Sequence, residues 1–595
     1  MNGHEQDDEV LGKAYDARLA SRVWRFTRPH GKLVLLSLTL FPLVALLELL
    51  QPYLVKLAID DYILRHDWAG LGRVAGVFLL VLIVLYGLRV AQAYLTQLTG
   101  QRVMYDLRNA LFAHLQRMDA RFFDRNPVGR LMTRILGDVE AINELFTSGV
   151  VSILGDVLTL TGVVVIMLGM NWKLALVTFA LVPLLALGAG YFRLRARESY
   201  RTVRTRLARL NAFLQESLQG MSVIQLFARE GRERAIFANL NADLRRGQFR
   251  STFYDASLYA TVEAIGSAAV ALLLWYGGGE VVRGALTFGG LVAFLEYTSR
   301  FFLPIRDLGA KYAVMQAAMV SSERIFGLLD TEPTIRPPLR AAAAPREAAT
   351  PAVEFRNVWF AYEEQDWVLR DCSFGVTRGE QVALVGPTGE GKTTIARLMT
   401  RAYEADRGEV LVEGRDVREW DLRELRRHVG LIPQEVFLFS GTVEANLRLG
   451  SDGVVSAAEL GTAVAAANAT RLIQALPRGL AEEIRERGVN LSQGQRQLLA
   501  IARALIYNPR VLALDEATSS VDPESEALIR DGLARLLQGR TSVIIAHRLS
   551  TIQRADRILV LHKGRVRESG RHAELLAQGG IYARLYELQF GLVRP

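Results

Sequence analysis

The chain has 595 residues, half of them hydrophobic and 22% charged, with a formal net charge of +9. That length is too great for one core, and so much charge beside so much apolar material excludes a uniformly soluble protein, because the two must be segregated along the chain. The positive balance alone fits nucleic acid or basic cytoplasmic loops, but position favours the loops: Arg18, Arg22, Arg25 and Arg28, and Arg193, Arg195, Arg197, Arg201, Arg204 and Arg206, crowd beside apolar stretches, whereas Asp60, Asp61 and Asp67 follow the first one.

This asymmetry predicts a cytoplasmic N-terminus, a lipid-bilayer partner and no nucleic acid. Glu5, Asp7, Asp8, Glu9 and Asp16 leave no apolar core for a cleavable signal. The first span is then its own anchor. Cys372 is the only cysteine, which excludes an intrachain disulfide and fits a reducing compartment.

Six apolar stretches precede residue 330, at 33–57, 72–95, 147–170, 173–191, 257–279 and 288–315. Each reaches or approaches the roughly 20 residues that a helix needs to cross the hydrocarbon core. A tight turn near Asn171 and Trp172 joins the third to the fourth. Between spans two and three, and between four and five, helical periodicity continues with many charges, which predicts helices projecting about 35 Å into the cytoplasm. Glu48, Arg89, Glu263 and Glu296 fall within spans, where ionisable groups face a cavity or a partner. The glutamates would suit a pocket for cationic amphiphiles, and Arg89 reads better as the partner of one of them. Phe41, Tyr53, Phe294, Tyr297 and Phe302 are candidate aromatic wall residues.

Residues 331–351 carry proline and alanine without an apolar face and read as a linker. Short β-rich runs at Val353, Gln381–Val385, Val511–Leu514 and Ser542–Ile545 then alternate with helical segments. This is the pattern of a largely parallel sheet. The expected architecture is multidomain: an all-α six-helix transmembrane domain (1–330), the linker, and an α/β P-loop ATPase domain (352–595).

A phosphate loop needs glycines where backbone approaches oxygen, amide hydrogens converging at a helix start, and a lysine for the terminal phosphates. Gly386, Pro387, Thr388, Gly389, Glu390, Gly391, Lys392, Thr393 and Thr394 follow a strand in that order. Thr393 would ligate Mg²⁺ through its hydroxyl, with Asp515 as its partner. Glu516 stands where a carboxylate could orient or deprotonate water, His547 closes another strand and could meet the γ-phosphate, and Gln434 could reach the metal and the water. Tyr362 could stack on adenine.

Taken in order and spacing, these residues resemble the nucleotide-binding domain of ATP-binding cassette proteins over about residues 352–590. Tyr362 matches the A-loop, Gly386 to Thr393 the Walker A, Gln434 the Q-loop, Leu491 to Gln495 the signature, Val511 to Asp515 the Walker B, Ser519 to Asp522 the D-loop and His547 the switch histidine. Arg121 to Leu131 with Arg134 and Asp138, and Gly220 to Glu230, look like the two intracellular loops of the exporter branch, and Glu483 with Glu486, Arg487 and Gly488 like its X-loop. The resemblance implies ATP and Mg²⁺ as cofactors, ATP hydrolysis driving alternating access, and two cassettes closing head-to-tail. Ser492, Gly494 and Gln495 of one chain, with Asp522, would then meet ATP held by the other.

The chain departs from that pattern at Gln493, where glycine is usual, and at Arg485. An intact Glu516 beside an altered signature fits one half of a heterodimer; a homodimer with a tolerated variant is the alternative. The implied cargo is an amphipathic drug or lipid, or less readily a peptide, leaving across a bacterial inner membrane. The spans speak against a soluble cassette ATPase acting on nucleic acid or ribosomes, and an ATP-gated passive pore is a further rival.

Overall fold

The structure, a computed structural model, describes residues 16–336, 351–363, 365–451, 455–515, 522–546 and 549–590. It divides into two compact units, Met1–Gln116 with Val128–Thr331, and Arg117–Pro127 with Glu332–Pro595. Most of the expected linker, residues 337–350, lies outside the described residues.

The first unit is helical, as apolar runs must be where no water can satisfy a backbone N–H. Among the described residues five helices, not six, are long and apolar enough to cross a membrane: Ala17–Ile63, Trp68–Leu115, Val128–Met170, Trp172–Gln219 and Glu230–Val282. The sixth expected stretch does fold within one helix, Phe288–Asp330. Glu296, Arg300, Pro304 and Lys311 dilute its apolar character, while Phe294, Tyr297 and Phe302 are buried in the helical core. These aromatics, with buried Phe41, pack rather than line a wall; Tyr53 alone of the five stays exposed.

The expected turn is present. Asn171 is extended and its side chain accepts from the N–H groups of Lys173 and Leu174, capping the next helix. Helix Trp68–Leu115 has 48 residues, a length of about 72 Å against about 30 Å of hydrocarbon, as expected of helices that project beyond the bilayer. Helices Val182–Gln219 and Glu230–Leu272 pack along each other, tied by Arg206 donating to the Asp243 carbonyl at 2.6 Å and Tyr200 donating to Asp255 at 2.5 Å. Asp138, expected in a docking loop, is instead buried within this unit, where it accepts from Ser321 at 2.9 Å.

The second unit holds a six-stranded sheet in the order Arg565–Gly570, Arg557–His562, Gln381–Val385, Thr541–Ile545, Val511–Asp515, Val429–Ile432. All neighbours are parallel except the first pair. Val511–Asp515 and Thr541–Ile545 are buried at every position, which is why both read as unbroken apolar runs. A four-stranded antiparallel sheet, ordered Trp367–Val376, Val353–Ala361, Arg407–Val412, Arg415–Asp416, shares a second core with helix Lys392–Met399.

Cys372 sits in that second core, and burial pushes its thiol up to about 12. At pH 8 the thiolate is then scarce. Labelling by a disulfide reagent should therefore track unfolding by denaturant, and rapid labelling of the native protein would contradict the buried position.

Candidate functional site

Three neighbouring strands end together at one sheet edge. Ile545 lies opposite both Leu384 and Asp515, so the strand feeding the glycine loop, the strand ending in Asp515 and the strand preceding residue 547 share a carboxyl-terminal rim. Ligands of open parallel sheets bind at such rims.

Glycine is required in the loop for two separate reasons. A Cβ at Gly386 would lie 2.4 Å from the Leu561 carbonyl oxygen, and Gly391 combines φ +95° with a Cβ position 2.6 Å from Leu369. Any other residue at either position would displace the loop. Helix Lys392–Met399 starts directly after Gly391.

Lys392 is buried at the start of that helix, and its ammonium donates to the Gly386 and Pro387 carbonyls at 2.7 Å each. Burial lowers its pKa, while the charges of Glu390 and Asp515 oppose that shift. Thr393 donates its hydroxyl to buried Asp515 at 2.8 Å, so a hydroxyl and a carboxylate 122 residues apart in sequence meet at the rim. Glu390 turns its carboxylate to the Gly564 N–H at 3.1 Å, and Thr388 and Gly389 are exposed. Gln434 is exposed just beyond strand Val429–Ile432, whose Ile432 pairs with Leu514, and so leaves the sheet on the same rim. Glu516 and His547 lie outside the described residues, as do Ser519 to Val521 of the expected D-loop.

Tyr362 follows strand Val353–Ala361. Its hydroxyl is 3.0 Å from that of Thr394 and accepts from Arg397 at 3.4 Å. Phe360 and Tyr403 pack edge-on to its ring, with centroids 4.9 and 5.3 Å away. The sequence reading did not single out Tyr403, which lies past the end of the loop helix.

Helix Ala120–Arg125 belongs to this same unit. Arg121 donates to the Ala361 carbonyl at 2.8 Å, Asp119 accepts from the Thr334 N–H at 2.9 Å, and Tyr403 donates to Asp124. Ala120 packs on the second core. Its loop was legible in the sequence; the partners of its side chains were not.

Ser492 caps helix Gln493–Tyr507 in a reciprocal box: its hydroxyl accepts from the Gln495 N–H at 3.2 Å and its own N–H donates to the Gln495 side chain at 2.9 Å. Gly494 is buried in the first turn. Gln493 is absent from the left-handed residues, so its side chain adds no backbone strain there. Asp522 caps helix Pro523–Leu537 through the Ser525 N–H, a bond that holds its carboxyl below the usual carboxylate range.

Within the membrane-spanning helices Arg89 does pair with a glutamate, Glu48, at 2.5 Å. Glu263 is exposed and Glu296 is half-buried. Pro52 has no N–H for the carbonyl four residues before it, and that carbonyl, of Glu48, accepts from Arg300 at 2.8 Å while Arg300 also donates to Gln51 at 2.7 Å. A second pair in the helical unit, Lys311 with Asp156, joins helices Phe288–Asp330 and Val151–Met170. Replacing Arg300 with Met should leave the Glu48 carbonyl unpaired and destabilise the helical unit by about 1–3 kcal/mol, read as a lowered melting temperature in detergent. An Arg300→Met, Pro52→Ala double variant should recover part of the loss.

Residues 34–305 match the ABC transporter transmembrane region and residues 369–519 match the ABC transporter family proper. The chain is 37% identical over 591 residues to an uncharacterized ABC transporter ATP-binding protein, YknV, of Bacillus subtilis, covering 98% of this chain and 96% of that one. It is 36% identical over 569 residues to an ATP-dependent lipid A-core flippase of Syntrophus aciditrophicus, covering 96% and 94%. It is 37% identical over 524 residues to a probable multidrug resistance ABC transporter ATP-binding/permease protein, YheH, of Bacillus subtilis, covering 86% and 77%. With a helical membrane unit, a strand-ended loop and these relatives in one chain, the protein belongs to the ABC transporter family and is an ATPase coupled to transmembrane transport.

Proposed function

We propose that the chain is an exporter half-transporter, moving amphipathic drugs or lipids out of the cytoplasm or inner leaflet of a bacterial inner membrane by alternating access. In this reading Phe288–Asp330 is the sixth span, and the N-terminus and the ATPase unit are cytoplasmic. The carrying observation is that residues 117–127, from the first intracellular loop, fold with the ATPase unit, which gives nucleotide-driven motion a covalent route into the spans.

At the rim the glycine loop and Lys392 would hold the phosphates, Tyr362 the adenine. Thr393 and Asp515 offer hard oxygens side by side, a donor set that suits Mg²⁺, which takes few protein ligands and completes its shell with phosphates and water. Mg²⁺ bound there would neutralise charge on the transferring phosphoryl group. Gln434 and Glu516 would orient the attacking water and His547 would meet the γ-phosphate. ATP-bound closure favours one conformation, and hydrolysis removes that bias.

A dimer is required for Ser492, Gly494, Gln495 and Asp522 to meet ATP in trans. Gln493 favours a heterodimer with a second half-transporter; the unstrained backbone at Gln493 and the intact capping box favour a homodimer as the second reading. The mass and ATPase rate of the chain expressed alone in nanodiscs separate them. A stable dimer with turnover establishes the homodimer; an inactive chain rescued by coexpressing another half-transporter establishes the heterodimer.

A further inference from the structure

Four groups in the second unit form one connected path. Asp124 accepts from the Tyr403 hydroxyl, the Tyr403 ring meets Tyr362 edge-on at 87°, and the Tyr362 hydroxyl meets that of Thr394 beside the glycine loop. Phe360 closes the aromatic group, with its centroid 5.6 Å from that of Tyr403 and its ring near perpendicular to Tyr362. The Arg397 guanidinium lies 5.8 Å from the Tyr403 ring centre and also donates to Tyr362.

Physical constraint follows from these contacts. The Tyr362 ring is pinned at its hydroxyl end by Thr394 and Arg397, and the Phe360 and Tyr403 rings both meet it edge-on while contacting each other. Edge-on aromatic pairs are directional, so the angle at which Tyr362 meets a base depends on where Tyr403 stands. Tyr403 is 5% exposed, and burial followed by the Asp124 bond raises its pKa. Its hydroxyl therefore remains a donor throughout the neutral range, and Asp124, on the short helix from the membrane half, holds it.

We propose that Tyr403 is a positioning residue for the adenine ring of ATP, holding Tyr362 at its stacking angle while its hydroxyl reports that ring's position to Asp124 of helix Ala120–Arg125. This rests on Tyr362 as the adenine platform. The two functions of Tyr403 separate by atom: the ring sets the platform and the hydroxyl couples it to the helix.

The test uses the full chain in nanodiscs and two ligands, ATP and inorganic tripolyphosphate, titrated by calorimetry. Tyr403→Leu should weaken ATP binding roughly five- to tenfold and leave tripolyphosphate within about twofold, because only the base contact is lost. Tyr403→Phe keeps the ring and should bind ATP within about twofold of the parent. For the hydroxyl, a nitroxide on Arg125→Cys, an exposed position at the end of the helix, should change mobility on adding ATP in the parent but not in Tyr403→Phe or in Asp124→Ala. Combining those two substitutions should add nothing to either.

Equal weakening of both ligands in Tyr403→Leu would mean general damage to the loop and would overturn the proposal. So would an ATP-dependent label signal that persists in Tyr403→Phe. Tyr362→Ala is the control for the underlying reading: if it leaves ATP binding intact, the adenine platform itself is wrong. If it weakens ATP while Tyr403→Leu does not, only the positioning role fails.

Discussion

ATP turnover by the Glu516→Gln variant is expected to fall by about 10²- to 10⁴-fold, with transport lost alongside it. The residue directly follows Asp515, the last residue of a fully buried strand, and the amide preserves shape while losing the ability to accept a proton. ATP binding should survive, because Lys392, Thr393 and the loop backbone are untouched. Phosphate release and cargo flux are measured on the same proteoliposomes. Flux that continues at the parental rate without hydrolysis would identify a passive pore gated by ATP.

Removing the Lys392 ammonium, as in Lys392→Met, should weaken ATP binding roughly 10- to 100-fold, the scale of lost hydrogen bonds to a charged group. The Gly386 and Pro387 carbonyls also lose their common donor, so the loop itself loosens. A pH dependence accompanies this in the parent. Burial depresses the lysine pKa below its usual value, and a base with a depressed pKa is charged only below that lowered value. ATP affinity should therefore be full near neutrality and decline as pH rises, beginning below the ordinary lysine range. Calorimetric titration from neutral to alkaline pH measures it, and Lys392→Met should remove the decline.

What the sequence made legible was the chemistry carried by short spacings. Gly386 to Thr394 lie in one continuous stretch, and the apolar run ending in Asp515 identifies a buried strand, so both halves of the Thr393–Asp515 contact are visible in the sequence alone. The reciprocal box at Ser492 and Gln495 spans a single helical turn. Partners distant in sequence were hidden. Asp156 and Lys311 are 155 residues apart, and nothing local to either signals the other. Arg300 sits on a helix whose charges dilute its apolar signal, yet those charges satisfy groups on neighbouring helices; the carbonyl it serves is freed by a proline far earlier in the chain. Tyr403 was overlooked because an aromatic residue beyond a helix end has no pattern, and its role depends on Tyr362 and Asp124 arriving from separate segments.

Helix Ala120–Arg125 has a consequence for how the molecule is made. Its contacts with the ATPase unit span 240 residues for Arg121 to Ala361 and 279 for Asp124 to Tyr403. Chains are synthesised from the N-terminus at about 5–20 residues per second, so the helix emerges roughly ten seconds or more before the strands it packs against. It must wait beside the membrane, with Ala120 and Arg121 uncovered, until the rest arrives. The cassette thus completes its core around a piece delivered in advance. A fragment beginning at residue 332 lacks that piece, leaving the patch around Ala361 and Tyr403 bare, so the isolated cassette should refold less efficiently than the same fragment supplied with a peptide spanning 117–127.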